Sequence, residues 1–257
     1  MALIHCDFFS ESLGISSSMY VILPQTTHGQ IGMKGVAKKK IFPVLYLLHG
    51  MSDDHTIWLR RTSIERYVAP LSLAVVMPAA NRSFYVDQKY GYKYETFIAD
   101  ELPRIVSSFF PISAKREDKF IAGLSMGGYG AFRIAMTYPE RYAAAASLSG
   151  VVDLISFKNR PDRMHDAALA FGDMTADEEK KIDVFARAKA LSRRKYKRMP
   201  LFQCCGTEDF LYEGNVKFRE HAKKLKLDLT YEEETGTHEW GYWDKKIQNV
   251  LAWLPIQ

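Results

Sequence analysis

One serine stands out for its neighbours. The run Phe120-Ile121-Ala122-Gly123-Leu124-Ser125-Met126-Gly127-Gly128 places Gly-x-Ser-x-Gly between a buried-strand pattern and a helical one. A serine in so sharp a turn needs small residues on either side, because its backbone approaches adjoining chain and lifts the hydroxyl clear of the sheet. The helix that follows points its first N–H groups at the hydroxyl, which favours developing negative charge. These are the requirements of a nucleophile attacking an acyl carbon.

A neutral hydroxyl attacks poorly, so Ser125 requires a base, and the base an orienting carboxylate. Beyond Ser125 the chain offers His165, His221 and His238. His165 falls in a polar insertion and His221 inside a helical pattern. His238, in Gly236-Thr237-His238-Glu239, sits between the last strand and the last helix, at the carboxyl edge where Ser125 emerges. It is the candidate base, and activity is expected to fall as acid protonates it. Asp209, in Cys205-Gly206-Thr207-Glu208-Asp209, follows the penultimate strand at the same edge and is the candidate acid. Glu208 is one position off. Asp153, after the preceding strand, competes, but the Asp209 loop adjoins the histidine strand.

An acyl-transfer site also needs donors for an oxyanion. The backbone N–H of Met126 is one, as the residue after the nucleophile, and Leu48-His49-Gly50-Met51 ends an interior strand where the N–H of Met51 supplies the second. The ring of His49 is expected to fix that loop. Read as a metal site, HGMSDDH lacks a His-x-His pair, so neither metal nor cofactor is expected.

These residues need a scaffold. With 257 residues, 47% of them apolar and 25% charged, the chain has the composition of a globular protein and not of a disordered, collagenous or coiled-coil one. Leu3 to Phe9 and Ser18 to Leu23 alternate with period two, as an antiparallel edge pair would. Phe42 to Leu48, Leu73 to Met77, Lys119 to Gly123, Ala143 to Ser149, Leu201 to Cys205 and Leu229 to Glu233 read as interior strands. Between or after them, Thr56 to Val68, Thr96 to Phe110, Gly127 to Tyr138, Val216 to Leu225 and Lys245 to Trp253 read as helices. Such alternation means a mostly parallel α/β sheet with helices on both faces, in one domain covering 1–257. Val151 to Arg198 breaks the rhythm: it is polar, carries helical patterns at Arg163 to Phe171 and Asp183 to Leu191, and reads as an inserted cap.

Taken together, His49-Gly50-Met51, Gly123-Leu124-Ser125-Met126-Gly127-Gly128, Gly206-Thr207-Glu208-Asp209-Phe210-Leu211-Tyr212 and His238-Glu239-Trp240 resemble the esterase D group of α/β-hydrolases, most of all its bacterial tributyrin esterases. The resemblance spans nearly the whole chain. It implies a serine carboxylesterase for short-chain acyl esters, with Ser125, Asp209 and His238 as triad and Met51 and Met126 as oxyanion donors. The same group includes S-formylglutathione hydrolases, feruloyl and acetyl-xylan esterases and mycolyltransferases, so the alcohol part is not fixed by it. A thioesterase acting on S-formylglutathione is the alternative within catalysis. A binding protein that kept the hydrolase fold is the alternative outside it.

The remaining features favour plainer roles. Among the aromatics near the site, Trp240, two residues beyond the base, and Trp58, after the oxyanion loop, are the candidates for substrate contact. The basic run Ser192 to Arg198 is offset by acidic stretches in a chain of net charge +5, which suits a solvated face or subunit contact rather than nucleic acid or a membrane. Three cysteines cannot build a disulfide framework, and no apolar run reaches the ~18 residues of a bilayer span. A cytoplasmic protein with a small-molecule ester substrate is expected, its self-association left open.

Overall fold

The computed structural model describes residues 1–158, 164–196 and 198–256. Eight strands form one sheet: β1 (Ala2–Ser10), β2 (Ile15–Leu23), β3 (Val44–Leu48), β4 (Ala74–Pro78), β5 (Lys119–Leu124), β6 (Ala144–Leu148), β7 (Leu201–Gly206) and β8 (Leu229–Glu234). Their spatial order is β1-β2-β4-β3-β5-β6-β7-β8. The first two strands pair antiparallel, β2 lies antiparallel on β4, and the rest are parallel. This is the mostly parallel sheet expected from the alternation, in the α/β-hydrolase form that the resemblance implies.

Burial follows from the pleat. Val44, Tyr46 and Leu48 of β3 face one hydrophobic cluster and Leu45 and Leu47 face the other, so an all-apolar strand feeds two cores at once. From β3 the chain moves outward to β4 and then returns to place β5 on the opposite side. Strand order therefore reverses between β3 and β5, and their carboxyl ends open a crevice of the kind in which open α/β sheets bind ligands. Leu48 and Leu124, the last residues of those strands, lead directly into the two loops singled out above.

Several helices differ from the expected bounds for local reasons. Thr56 to Val68 is two helices, Ile57–Arg61 and Ile64–Val68. At the break the Thr62 hydroxyl donates to Trp58 O and accepts from Ile64 N–H, offering the backbone an alternative to helix. Thr96 to Phe110 contains a π-helical stretch, Phe97–Glu101, before the helix Leu102–Phe109. Pro103 brings no N–H for Ala99 O, and the Arg141 guanidinium donates to that oxygen instead, at 2.7 Å.

The helix Met126–Thr137 is buried from Met126 to Met136, and its Arg133 pairs with Glu95 at 2.9 Å and donates to Tyr85 O at 2.7 Å. Between β6 and β7 lie the helices Leu154–Lys158, Met164–Phe171, Ala176–Ile182 and Val184–Leu191. Arg163 and Lys197, parts of the expected helix and of the basic run, lie outside the described residues. Among the described residues no helix is long and apolar enough to cross a membrane.

Candidate active site

Ser125 occupies the turn between β5 and the helix Met126–Thr137 with φ 52° and ψ −117°, a left-handed backbone that an L-residue adopts only under constraint. The constraint is visible in the flanking glycines. A Cβ on Gly123 would lie 2.5 Å from the Gly127 carbonyl carbon, and one on Gly127 would lie 2.6 Å from Leu48 O. Ser125 N–H donates to Leu148 O at 2.9 Å, while its carbonyl accepts from Tyr129 and Val151 N–H. Both sides of the turn are thus tied to neighbouring chain.

The other two triad candidates reach the same point. His238 Nε2 lies 3.0 Å from Ser125 Oγ, and His238 Nδ1 lies 2.8 Å from Asp209 Oδ2. The Asp209 carboxylate is fully buried, and its second oxygen accepts from Leu211 N–H at 2.9 Å. With that carboxylate on Nδ1, the proton resides on Nδ1 and Nε2 is left to accept from the serine. Backbone bonds fasten the two loops together: Thr207 N–H donates to Glu234 O, and Glu208 N–H to Gly236 O. Gly206 and Gly236 are in contact close enough that neither leaves room for a side chain at Gly206. Asp153, the competing acid, accepts instead from Lys217 Nζ at 3.3 Å and from Ser156 N–H.

The loop after β3 is pinned at three successive carbonyls. Trp58 Nε1–H donates to Leu48 O at 3.1 Å, Tyr85 O–H donates to His49 O at 2.8 Å, and His49 Nδ1 lies 2.6 Å from Gly50 O. Because His49 Nε2 accepts from Ala80 N–H at 2.9 Å, the ring's own proton is on Nδ1 and is given to Gly50 O. Burial keeps this imidazole neutral by lowering its pKa to about 4. The Met51 N–H meets no protein acceptor among the described residues, and Met126 opens its helix, so its N–H has no intrahelical partner. Two unspent donors near a serine hydroxyl can stabilise a tetrahedral oxyanion.

Two expectations about aromatics separate here. Trp240 is half-buried and lines a cleft of about 490 Å³ together with Ser125, His238, Phe157, Phe210 and Trp243. Trp58 is not among the residues that line this cleft. It is 1% exposed in the core, because a buried indole N–H requires an acceptor and finds it in Leu48 O. Its ring meets the edge of Trp240, which meets Trp243, which in turn stands edge-on to His238 at 4.8 Å. Trp58 is therefore a support for the residues that line the cleft.

Sequence reasoning gave no role to Phe210, whose ring lies 4.6 Å from the His238 ring, and weighed Asp53, which lines the cleft beside Met51, only as a metal ligand. Phe210 directly follows the acid, and Asp53 lies two residues beyond the oxyanion donor; those positions were the available signal. Burial raises the Asp53 carboxyl pKa, opposed chiefly by the neighbouring Gly50 backbone. Cys204 and Cys205 are buried, and desolvation drives both thiol pKa values far up, which suits packing.

Strand order, the strained serine turn and the carboxyl-edge crevice together define the serine hydrolases with the α/β-hydrolase fold. Comparison with known proteins gives the family. The model of the Esterase family, described as "Putative esterase", matches residues 10–254, and the chain belongs to that family. It is 30% identical to an acetyl esterase of Caldicellulosiruptor saccharolyticus, over 99% of this chain and 98% of the relative. Among solved structures it is similar to FphF, a fluorophosphonate-binding serine hydrolase of Staphylococcus aureus, with a TM-score of 0.87, 32% identity and 98% of each chain covered. It is also similar to the S-formylglutathione hydrolase FrmB of that organism, with a TM-score of 0.85, 31% identity and 98% of each chain covered.

Proposed function

We propose that this esterase is a serine carboxylesterase of the tributyrin-esterase or acetylesterase kind, cleaving short-chain acyl esters through an acyl-serine intermediate. The observation that carries the reading is the continuous hydrogen-bonded path from Ser125 Oγ through His238 to the buried Asp209 carboxylate. Ser125 attacks the ester carbonyl while His238 Nε2 takes its proton, and Asp209 stabilises the imidazolium. The N–H groups of Met51 and Met126 hold the oxyanion. As the intermediate collapses, His238 returns the proton to the leaving alcohol. Water activated by the same ring then cleaves the acyl-serine and releases the acid. No step requires a cofactor.

The short acyl limit rests on the wall formed by Trp240, Trp243 and Phe157 beside the nucleophile. A panel of p-nitrophenyl esters of increasing acyl length tests it. The expected result is kcat/KM that declines beyond about four carbons, since a methylene the wall refuses gains none of its ~0.8 kcal/mol of burial and forces the bound ester out of place. A fluorophosphonate probe should label Ser125, and Ser125→Ala should abolish both labelling and turnover with the fold intact. Undiminished turnover by that variant overturns the assignment.

The likeness to an S-formylglutathione hydrolase over 98% of both chains supports a second reading, thioester hydrolysis by the same residues. Rates on S-formylglutathione and on an aryl acetate at equal enzyme concentration decide between them.

A further inference from the structure

Two unfavourable features of the core converge on one tyrosine. Phe84 and Tyr85 are consecutive and both left-handed, with φ 52° and 55°, a conformation that bulky residues keep only where their surroundings impose it. Arg133, on the helix behind Ser125, is a charged group with only 2% of its side chain exposed, and a charge is buried at a loss unless partners hold it. Its Nη2 donates to Tyr85 O at 2.7 Å and its Nη1 to Glu95 Oε2 at 2.9 Å, while the Tyr138 hydroxyl donates to the other Glu95 oxygen at 3.1 Å. The guanidinium thus fixes the carbonyl of the second strained residue. Tyr85 N–H is fixed as well, donating to Ser83 Oγ at 3.0 Å, and the same helix passes so close that a Cβ on Gly130 would come within 2.6 Å of the Tyr85 ring.

What this anchored residue holds is the oxyanion loop. Tyr85 is fully buried, burial drives its pKa far up and keeps the hydroxyl a donor, and that hydroxyl donates to His49 O at 2.8 Å. The His49 carbonyl lies in the peptide unit before the one that carries Met51 N–H. Each unit is planar, so the two turn only about the φ and ψ of Gly50, the residue type with the widest choice of both. The His49 ring fixes the second plane through Gly50 O, and Tyr85 fixes the first. With both held, Met51 N–H, which points away from the carbonyl of its own plane, has one direction. The ring grows from His49 itself, so releasing the first plane also disturbs the bond that holds the second.

We infer that Tyr85 is a positioning residue for the oxyanion: set in place by the buried Arg133–Glu95 pair, its hydroxyl orients the loop so that Met51 N–H meets the tetrahedral intermediate on Ser125. The inference rests on the esterase reading above and adds to that reaction a residue that is not among those lining the cleft. The aim of an N–H that is used when the carbonyl oxygen becomes charged bears on the barrier and hardly on the binding of the neutral ester.

The test uses two inhibitors with one skeleton. 1,1,1-Trifluoropentan-2-one forms a hemiketal: Ser125 Oγ bonds to the carbonyl carbon, His238 takes the serine proton, and the π pair becomes the oxyanion. 1,1,1-Trifluoropentan-2-ol forms no oxyanion. Tyr85→Phe removes the hydroxyl and keeps the ring. A donor removed outright costs roughly 10²-fold or more, so a misaimed one is expected to lower kcat on p-nitrophenyl acetate about tenfold at unchanged KM. The ketone Ki should rise about tenfold while the alcohol Ki stays within about twofold of wild type. Arg133→Lys, which ends in one nitrogen where the arginine uses two, should give the same split at a smaller factor, and it carries the test if Tyr85→Phe fails to fold. Rates are taken per site titrated with a fluorophosphonate, so a smaller folded fraction moves none of them. Ki values for ketone and alcohol that both stay at wild type, or that rise together, in a folded variant whose turnover still depends on Ser125 overturn the role of Tyr85 alone. Turnover that survives Ser125→Ala overturns the esterase reading and the role with it.

Discussion

The serine side of the crevice and its outer wall are held by different means. Around Ser125, Asp209 and His238 the fastening is mainly main chain: Ser125 N–H to Leu148 O, Thr207 N–H to Glu234 O, Glu208 N–H to Gly236 O, with glycines where chains touch. On the outer wall, Lys89 and Tyr90 make two backbone bonds to the end of the helix Met164–Phe171. Beside them stand the ion pairs Arg82–Asp166 and Lys89–Glu178 and the packing of the Phe84 ring on Phe171. Main-chain bonds among buried strands leave little room for adjustment, whereas side-chain pairs at the surface are easily exchanged. The candidate triad thus rests on the stiff side of the crevice, and its outer wall is the adjustable one.

Substitutions on the stiff side should cost most. Asp209→Asn keeps the shape but presents the wrong hydrogen-bonding partner to His238 Nδ1, and kcat on p-nitrophenyl acetate is expected to fall about 10⁴-fold with an unchanged melting temperature. A loss of only a few-fold would mean that another carboxylate orients the ring. Gly127→Ala drives a methyl into Leu48 O and His49 O, both backbone atoms, and is expected to cost at least ~1–3 kcal/mol in denaturant unfolding as well as activity. A stable, active Gly127→Ala enzyme would show the elbow to be looser than its contacts imply.

His49 tests the same side through pH. Its folded pKa, about 4, lies below the ordinary imidazole value of 6.5, so the unfolded chain binds the extra proton first. The stability this neutral ring contributes is present above pH 6.5 and is lost as pH falls toward 4, by roughly 3 kcal/mol in all. His49→Gln is expected to flatten the fall in melting temperature over that window. An identical slope in both proteins would remove His49 as its source.

The outer wall should give the smallest effect. Lys89→Met breaks an exposed pair with Glu178 and is expected to move the melting temperature by no more than about 2 °C. A larger shift would erase the contrast between the two sides.

How much of this was legible in the sequence depended on whether a local pattern carried it. Val44–Leu48 and Ala144–Leu148 announce themselves as apolar runs, and Ser125 is framed by its glycines. Asp209 and His238 were readable because each follows a strand at one sheet edge. The helix Ala176–Ile182 had a signal that went unread: Thr175 and Glu178 form a reciprocal capping box. The helix Trp240–Trp253 begins five residues before the expected Lys245, and it places Trp240, Tyr242 and Trp243 toward the core and cleft. Trp58 misled for the opposite reason. Its nearness in sequence to the oxyanion loop is real, but the indole turns inward to the Leu48 carbonyl, a tertiary hydrogen bond that no spacing announces. The reach of the Tyr85 hydroxyl to the His49 carbonyl is likewise invisible without the fold.

Ser125 and the imidazole it bonds are 113 residues apart, and β8 and the final helix bring the second to the first. A chain emerging from the ribosome can close the strands around the elbow well before residue 238 exists. The imidazole reaches Ser125 only when β8 and the helix Trp240–Trp253 dock. Recovered turnover is for that reason a stricter gauge of complete refolding than partly recovered secondary structure.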